Sequence, residues 1–116
     1  MNWLKLATSY DLENLIRNSF SDEVYAIAIF KHSTRCAIST MAKSRLIFSW
    51  DFDEKLPIYY LDLIQYRNLS NQIADEFLVE HQSPQLLLIK NGKCIHHASH
   101  IGISINDIKQ LLELKS

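Results

Sequence analysis

The chain has 116 residues, of which 47% are hydrophobic, and it contains two glycines and two prolines. This composition excludes a disordered chain and predicts one ordered domain over residues 1–116, long enough to form a core without a disulfide or a metal. The formal net charge of −1 and the lack of a long basic stripe argue against nucleic acid and membrane surfaces as partners.

The amino-terminal segment Met1–Leu6 lacks a basic stretch followed by a signal-like apolar core. No apolar run approaches the ~20 residues of a membrane-spanning helix. We therefore expect a cytoplasmic protein. In that reducing compartment an isolated cysteine is more often catalytic, redox-sensing or simply buried than disulfide-bonded, so Cys36 and Cys94, 58 positions apart, do not predict a disulfide.

The first half of the chain predicts a helix, a strand and a second helix. A capping hydroxyl near Thr8, followed by Asp11 and apolar residues at helical spacing, marks the first helix. The β-branched and aromatic residues of Val24–Phe30 are typical of a strand buried on both faces. Apolar residues recur at helical spacing from Ala37 onward, and this second helix ends around Phe48–Trp50.

The second half predicts one more strand and helix and then a hairpin. Pro57–Leu63 has the pattern of a strand, and Leu69–Val79 has the buried stripe of a helix. Asn91–Gly92 is a strong turn signal between the apolar segments Gln85–Lys90 and Lys93–Ser99. The last two segments are therefore expected to be adjacent antiparallel strands.

Ser104 and Asp107 form a plausible capping pair for a last helix. The resulting order is helix, strand, helix, strand, helix, strand, strand, helix. Right-handed crossovers between the early strands and a closing antiparallel hairpin give an α/β fold with a four-stranded mixed sheet flanked by helices. This is the order of the thioredoxin-like fold, in which the loop before Cys36 and the turn before Pro84 meet at one end of the sheet.

Cys36 stands between the strand Val24–Phe30 and the helix that begins at Ala37. Unpaired N–H groups and the positive end of the helix dipole favour a thiolate there, which is the nucleophilic form of cysteine. We favour a reactive thiol over a buried, inert one. Ser39 stands where a second cysteine would complete a C-x-x-C motif, so the predicted chemistry is monothiol. Ser39 either hydrogen-bonds the sulfur or simply lies on the helix face.

Several ordered blocks of residues lie around and after the cysteine, namely Phe30–Thr34, Ile38–Ser39, Tyr66–Arg67, Leu69–Ser70, His81–Gln85 and His97–His100. In these blocks the chain resembles the monothiol bacilliredoxins of the YtxJ type, which are thioredoxin-fold proteins linked to the thiol bacillithiol. The resemblance covers most of the chain. Two positions depart from the usual Thr-Cys-Pro-Ile-Ser motif, because Arg35 precedes Cys36 and Ala37 follows it. His96 stands where an aromatic residue is common in the resembled proteins.

The resemblance implies that Cys36 attacks the mixed disulfide between a client protein and bacillithiol. The expected supporting or substrate-binding residues are Lys31, His32, Ser33, Thr34, Arg35, Ser39, Ser83 and Pro84. The cationic members either attract the thiolate and the carboxylate of bacillithiol or are merely solvated. The resemblance also implies a cis Ser83–Pro84 peptide bond beside Cys36.

Other chemical residues have simpler explanations. Cys94 is expected to be an inert, packed thiol. His96 and His97 point to opposite faces of a strand, so these histidines and His100 are expected to make structural polar contacts rather than to bind a metal. Asp62 is either a proton acceptor near the sulfur or, more simply, a loop-capping residue.

The leading hypothesis is a thiol-disulfide oxidoreductase that removes bacillithiol from cytoplasmic proteins. It implies no permanently bound cofactor, bacillithiol as a co-substrate, and bacillithiol-modified proteins and a low-molecular-weight thiol as partners. The alternative is a non-catalytic redox sensor or interaction module whose Cys36 accepts a thiol cap without turnover. A peroxidase is disfavoured because the short chain lacks a clear resolving or activating set.

Overall fold

The computed structural model describes the backbone of residues 2–33 and 35–115 and the side chains of those residues up to Glu113. The elements in chain order are β1 (Trp3–Lys5), α1 (Ser9–Asn18), β2 (Ile27–His32), α2 (Ala37–Ser49), β3 (Ile58–Asp62), α3 (Arg67–Phe77), β4 (Gln85–Lys90), β5 (Lys93–Ser99), a 3-10 turn (His100–Gly102) and α4 (Ile105–Lys115). Among these described residues, no helix is both long and apolar enough to cross a membrane.

The strands form one mixed sheet in the order β1-β3-β2-β4-β5. Strands β1, β3 and β2 are parallel, and β4 and β5 complete the sheet as antiparallel neighbours. The predicted α/β architecture is therefore correct, but the predicted number of strands is wrong, because the described sheet has five strands and not four. The additional strand, Trp3–Lys5, has only three residues and is held by pairing with Ile58–Tyr60. A segment that short carries too few alternations for its own sequence to reveal it.

The predicted capping signals are present at both ends of the chain. Thr8 caps α1 by accepting from the Asp11 N–H, and the Asp11 carboxylate accepts from the Thr8 N–H in return. Before α4, the Ser104 hydroxyl accepts from the Asp107 N–H at 3.3 Å. Each bond satisfies an N–H group that the first helical turn leaves unpaired.

The central strand lies further along the chain than its apolar pattern indicated. Strand β2 extends through two polar residues to His32, whereas Val24–Ala26 precedes it in a loop. Tyr25 and Ala26 donate their N–H groups to the Lys55 carbonyl oxygen, at 2.8 and 3.3 Å. The apolar run therefore begins in the loop before β2, where contacts with a distant segment bury its first residues.

The hairpin after β4 confirms the turn prediction. Asn91 and Gly92 have φ angles of 53° and 77°, the left-handed conformation that a two-residue hairpin turn requires at both positions. The turn lies at the end of the sheet opposite to Gln85, where β4 begins.

Two apolar clusters cover the two faces of the sheet, and alternation along β2 divides its residues between them. Ile27 and Ile29 pack on the face covered by α1 and α3. Ala28 and Phe30 pack on the face covered by α2 and α4. By the same alternation, Lys31 belongs to the first face, and the next residue along β2 belongs to the second.

Replacement of Ile29 by alanine tests the central position of β2. Ile29 is fully buried, so Ile29→Ala is expected to lower the free energy of unfolding by about 2–5 kcal/mol through lost burial and a residual cavity. Ile101→Ala is the matched control, because Ile101 is 84% exposed and its loss is expected to change stability by less than about 0.5 kcal/mol. Urea denaturation measures both, and equal losses would contradict this placement of the core.

Candidate functional site

The carboxyl ends of β1, β3 and β2 and the start of β4 lie at the same end of the sheet, here called its edge. Strands β1, β3 and β2 are parallel and place Lys5, Asp62 and His32 at their carboxyl ends. Strand β4 is antiparallel to β2, with Gln85 opposite Lys31. The turn that precedes Gln85 therefore lies at the same edge as the loop that follows β2. Loops at the carboxyl ends of parallel strands are a common place for binding sites in α/β folds.

Cys36 is the residue that caps the amino terminus of α2, as the sequence predicts. Its backbone is extended, with φ −111° and ψ 119°, and its side chain makes no capping hydrogen bond. The Cys36 N–H donates to the Ser33 carbonyl oxygen at 3.2 Å, and the Cys36 carbonyl oxygen accepts from the Thr40 N–H at 3.0 Å. Cys36 is a free, half-buried cysteine, and these two bonds fix its backbone.

Ser39 connects the end of β2 to α2 through its hydroxyl group. Its Oγ lies 2.6 Å from His32 Nδ1 and accepts from the Ser33 N–H at 3.0 Å. The hydroxyl uses both its donor and its acceptor capacity when it donates to a neutral His32. Ser39 is fully buried. Among the described residues, the Ser39 hydroxyl bonds to the end of β2 and the loop after it rather than to the sulfur of Cys36.

His32 is buried against aromatic rings on the α2 face. Its ring stacks on Phe30 with centroids 5.8 Å apart and lies 5.6 Å from the Tyr60 ring. Burial, followed by the positive charge of Lys43, lowers the pKa of His32, although Asp62 and the Ser39 hydrogen bond oppose this shift. A neutral His32 supplies a hydrogen-bond acceptor for the loop rather than a positive charge for a thiolate.

Lys31 lies on the opposite face of the sheet from α2. Its side chain is fully buried, and its Nζ donates to the carbonyl oxygen of Ser70 in α3 at 3.3 Å. Burial lowers the pKa of Lys31 to about 8. The structure therefore does not bring its side chain together with Cys36, and any effect of its charge on the thiol must act across the sheet.

A buried polar cluster surrounds Lys31, and sequence reasoning assigned it no role. Ser70 Oγ lies 3.1 Å from His81 Nδ1, and Gln85 Nε2 donates to the Glu80 carbonyl oxygen at 3.0 Å. Burial and the charges of Lys31 and Arg67 lower the pKa of His81. These bonds tie the segment between α3 and β4 to the sheet. A lysine directly after a strand's apolar run was the available signal, since a lysine that the strand buries requires polar partners.

The Ser83–Pro84 bond is cis, which confirms that prediction. Pro84 is buried, and its carbonyl oxygen accepts from the His100 N–H at 2.9 Å. Ser83 Oγ and Gln85 Oε1 are buried, and neither has a hydrogen-bond partner among the described residues. The turn therefore combines a fixed backbone with unused polar atoms.

The remaining predicted residues lie around the loop after β2. Ser33 is half-buried and Arg35 is exposed to solvent, whereas Thr34 lies outside the described residues. Asp62 Oδ1 accepts from the N–H groups of Ile64 and Gln65, at 3.0 and 3.3 Å. These bonds confirm the loop-capping interpretation of Asp62.

Cys94 lies far from Cys36 in the sheet. It follows the hairpin turn and pairs with Ile89, at the end opposite to the loop after β2. Its Sγ lies 3.3 Å from the His96 carbonyl oxygen, and burial raises the pKa of the Cys94 thiol. This environment agrees with a packed, unreactive thiol.

The histidines near Cys94 are dispersed along and beyond β5. His96 is half-buried, whereas His97 and His100 are exposed. Within residues 2–33 and 35–115, no group of three or more His, Cys, Asp or Glu side chains is arranged to hold a metal ion.

Removal of the Ser39 hydroxyl tests the connection between β2 and α2. Ser39→Ala leaves His32 Nδ1 and the Ser33 N–H without their partner, and it is expected to lower the free energy of unfolding by about 1–3 kcal/mol. Ser44→Ala, on the exposed side of the same helix, is expected to change stability by less than about 0.5 kcal/mol. Urea denaturation of both variants is the measurement, and a neutral Ser39→Ala would contradict the anchoring contact.

The buried amine of Lys31 predicts a specific pH dependence of stability. Between pH 8 and its usual pKa of 10.5, the unfolded chain binds the proton that the folded chain has lost, so this group makes stability rise with pH. Below pH 8 the burial of the charged amine destabilises the fold by about 3 kcal/mol. Lys31→Met removes this cost and is expected to be more stable than the wild type at neutral pH.

The stability difference between Lys31→Met and the wild type is expected to narrow by about 2 kcal/mol between pH 8 and pH 9.5. Urea denaturation across this range measures the difference. Lys109→Met is the control, because Lys109 is exposed on α4. A difference that stays constant with pH would contradict the lowered pKa of Lys31.

Comparison with solved structures supports the fold. A protein described as a candidate oxidoreductase with a thioredoxin fold is 28% identical to this chain, with a TM-score of 0.77, over 95% of this chain and 93% of that one. The thioredoxin of Fasciola hepatica is 18% identical, with a TM-score of 0.72, over 97% of this chain and 98% of its own. The Malassezia sympodialis thioredoxin Mala s 13 is 13% identical, with a TM-score of 0.71, over 100% of this chain and 92% of its own.

The two thioredoxins share too little sequence with this chain to indicate more than a common fold. The family model described as Monothiol bacilliredoxin BrxC matches residues 4–108. That match runs from Leu4 in β1 to Ile108 in α4, and it includes Cys36, Ser39 and the Ser83–Pro84 turn. The chain has a thioredoxin-like fold and belongs to the monothiol bacilliredoxin family.

Proposed function

We propose that this protein is a monothiol thiol-disulfide oxidoreductase that removes bacillithiol from protein mixed disulfides through Cys36. The family and the thioredoxin fold support a thiol redox role. The observation that carries the proposal is the half-buried Cys36 at the start of α2, at the same edge of the sheet as the Ser83–Pro84 turn. This arrangement suits attack on an extended disulfide substrate.

The surroundings of Cys36 favour a nucleophile. The first turn of α2 presents N–H groups that its own helix leaves unpaired, and a negative sulfur is stabilised near such groups. The turn at Ser83 offers a buried hydroxyl without a partner among the described residues. A substrate disulfide bound between the two segments would meet the sulfur on one side and polar backbone on the other.

The positions of the other candidate resolving groups favour a monothiol reaction. Ser39 occupies the C-x-x-C position, and its hydroxyl is already bonded to His32 and Ser33. Cys94 lies at the far end of the sheet. Ser39 cannot displace a cap from Cys36, because an alcohol does not replace a thiolate in disulfide exchange. Cys94 cannot reach Cys36 without a large rearrangement.

The reaction proceeds in two thiol-disulfide exchanges. The Cys36 thiolate attacks the bacillithiol sulfur of the mixed disulfide, a new S–S bond forms, and the client leaves as its thiolate. A second thiolate from a low-molecular-weight thiol then attacks the bacillithiol sulfur on Cys36 and restores the Cys36 thiolate. No net oxidant is required, because the second thiol ends in the mixed disulfide with bacillithiol.

In this proposal bacillithiol is a co-substrate and no cofactor is permanently bound. The clients are bacillithiol-modified proteins of the cytoplasm, and the regenerating partner is a low-molecular-weight thiol. Nucleic acid and membrane surfaces have no part in the reaction.

Substitution of each cysteine tests the proposed nucleophile. Cys36→Ser is expected to abolish removal of bacillithiol from a capped client, because an alcohol does not replace a thiolate in disulfide exchange. Cys94→Ser is the matched control and is expected to retain most of the activity. Mass spectrometry of the client and of the enzyme over time measures both the loss of the cap and its appearance on Cys36.

The same measurement separates the proposal from its alternative. Repeated rounds of transfer in the presence of excess reducing thiol support the enzyme. A cap that stays on Cys36 under those conditions supports a redox sensor instead. Equal activity in Cys36→Ser, Cys94→Ser and the wild type would refute the assignment of Cys36.

A further inference from the structure

A cavity of about 310 Å³ opens beside β1 and β3, close to the carboxyl ends of those strands. It combines two ammonium groups, three aromatic side chains, one carboxylate and one amide. The residues that line it are Trp3, Leu4, Lys5, Lys43, Tyr60, Asp62, Gln65 and Tyr66. None of these residues belongs to the Cys36 loop or to the Ser83–Pro84 turn.

We propose that this cavity binds the part of bacillithiol that carries no sulfur, an anionic glycoside, while the bacillithiol sulfur reacts at Cys36. This inference rests on the proposed function, because Cys36 must attack the bacillithiol sulfur for the rest of that molecule to lie beside α2. The chemical class follows from the cavity lining, which suits carboxylates and a sugar ring together.

The two lysines supply the charge complementarity. Lys5 is exposed at the end of β1, and Lys43 is half-buried on α2. Lys43 Nζ lies 4.9 Å from the centroid of the Tyr60 ring, which holds the ammonium group over the cavity wall. Carboxylates bind such groups through charge-assisted hydrogen bonds. The malate portion of bacillithiol provides carboxylates of this kind.

The aromatic wall suits the apolar face of a sugar ring. The Trp3 and Tyr60 rings meet edge to face, with centroids 5.5 Å apart. Flat aromatic surfaces bury the C–H groups of a sugar, and the hydroxyl groups at its rim require acceptors. Asp62 and Gln65 lie at the same cavity and provide carboxylate and amide oxygens.

The cavity lies within reach of the nucleophile. Cys36, Ser39 and Lys43 follow one stripe of α2 at helical spacing, and seven residues correspond to about 10 Å along the helix axis. His32 and Ser39 lie buried between the two places, so the ligand would pass over the surface of the first turns of α2. A thiol made of cysteine, an aminosugar and a dicarboxylic acid is long enough to span this distance.

Paired substrates separate recognition of the glycoside from the chemistry at Cys36. The variant K5Q/K43Q is expected to raise KM about tenfold for a client capped with bacillithiol, because two charge-assisted bonds are lost and both are partly screened at the surface. The kcat is expected to stay within about twofold, since the nucleophile is untouched. The same client capped with cysteine alone lacks the glycoside and is expected to react equally well with both enzymes.

Direct binding is tested with glucosaminyl-malate, which lacks the cysteinyl thiol. In an NMR titration of the wild type it is expected to shift the amide signals of Lys5, Lys43 and Tyr60, and these shifts are expected to disappear in K5Q/K43Q. Lys109→Gln is the control, because Lys109 is exposed on α4 away from the cavity lining. Shifts confined to other regions would overturn the proposed site.

The outcomes distinguish this inference from the proposed function. If K5Q/K43Q impairs both capped clients equally, or impairs neither, the cavity does not recognise the glycoside, whereas the role of Cys36 is unaffected. If Cys36→Ser still removes bacillithiol, the proposed function fails even when glucosaminyl-malate binds. Binding of glucosaminyl-malate by Cys36→Ser is expected, because the cavity does not include the sulfur.

Discussion

The hydroxyl group of Ser39 is the contact on which the geometry of the site depends. It joins His32 at the end of β2 to the first turn of α2, and it also holds the N–H of Ser33 within the intervening loop. The backbone of Cys36 is therefore fixed from both sides, by Ser33 before it and by Thr40 after it. A monothiol site built in this way has a concrete reason to keep a serine at the C-x-x-C position, because the hydroxyl supports the loop and a thiol there would be a weaker donor and acceptor.

Local signals in the sequence predicted most of the architecture. The reciprocal cap at Thr8 and Asp11, the left-handed turn at Asn91 and Gly92, and the start of α2 after Cys36 each involve residues only a few positions apart. Their geometry follows from short-range sterics and hydrogen bonding, so the sequence carries the information directly. The order of these elements was then enough to predict a thioredoxin-like α/β fold.

The features that the sequence did not reveal depend on contacts between distant segments. Strand β1 exists because Trp3–Lys5 pairs with β3, and three residues have no period of their own. Lys31 and His32 were predicted as neighbouring cations, but alternation along β2 sends their side chains to opposite faces. Lys31 then meets Ser70, and His32 meets Ser39. Only the true end of β2, two residues beyond the apolar run, determines this separation.

The two faces of the sheet consequently support different parts of one edge. On the α2 face, neutral His32 and buried Ser39 hold the loop that carries the nucleophile. The cavity lined by Lys5 and Lys43 lies on the same side of the sheet as α2. On the other face, Lys31 and its polar neighbours hold the segment that leads to Pro84. A buried amine is a costly support, since the apolar surroundings disfavour its charge. It nevertheless donates to the carbonyl oxygen of Ser70 and so connects β2 to α3. The two faces therefore fix the two segments at this end of the sheet through separate sets of buried polar contacts.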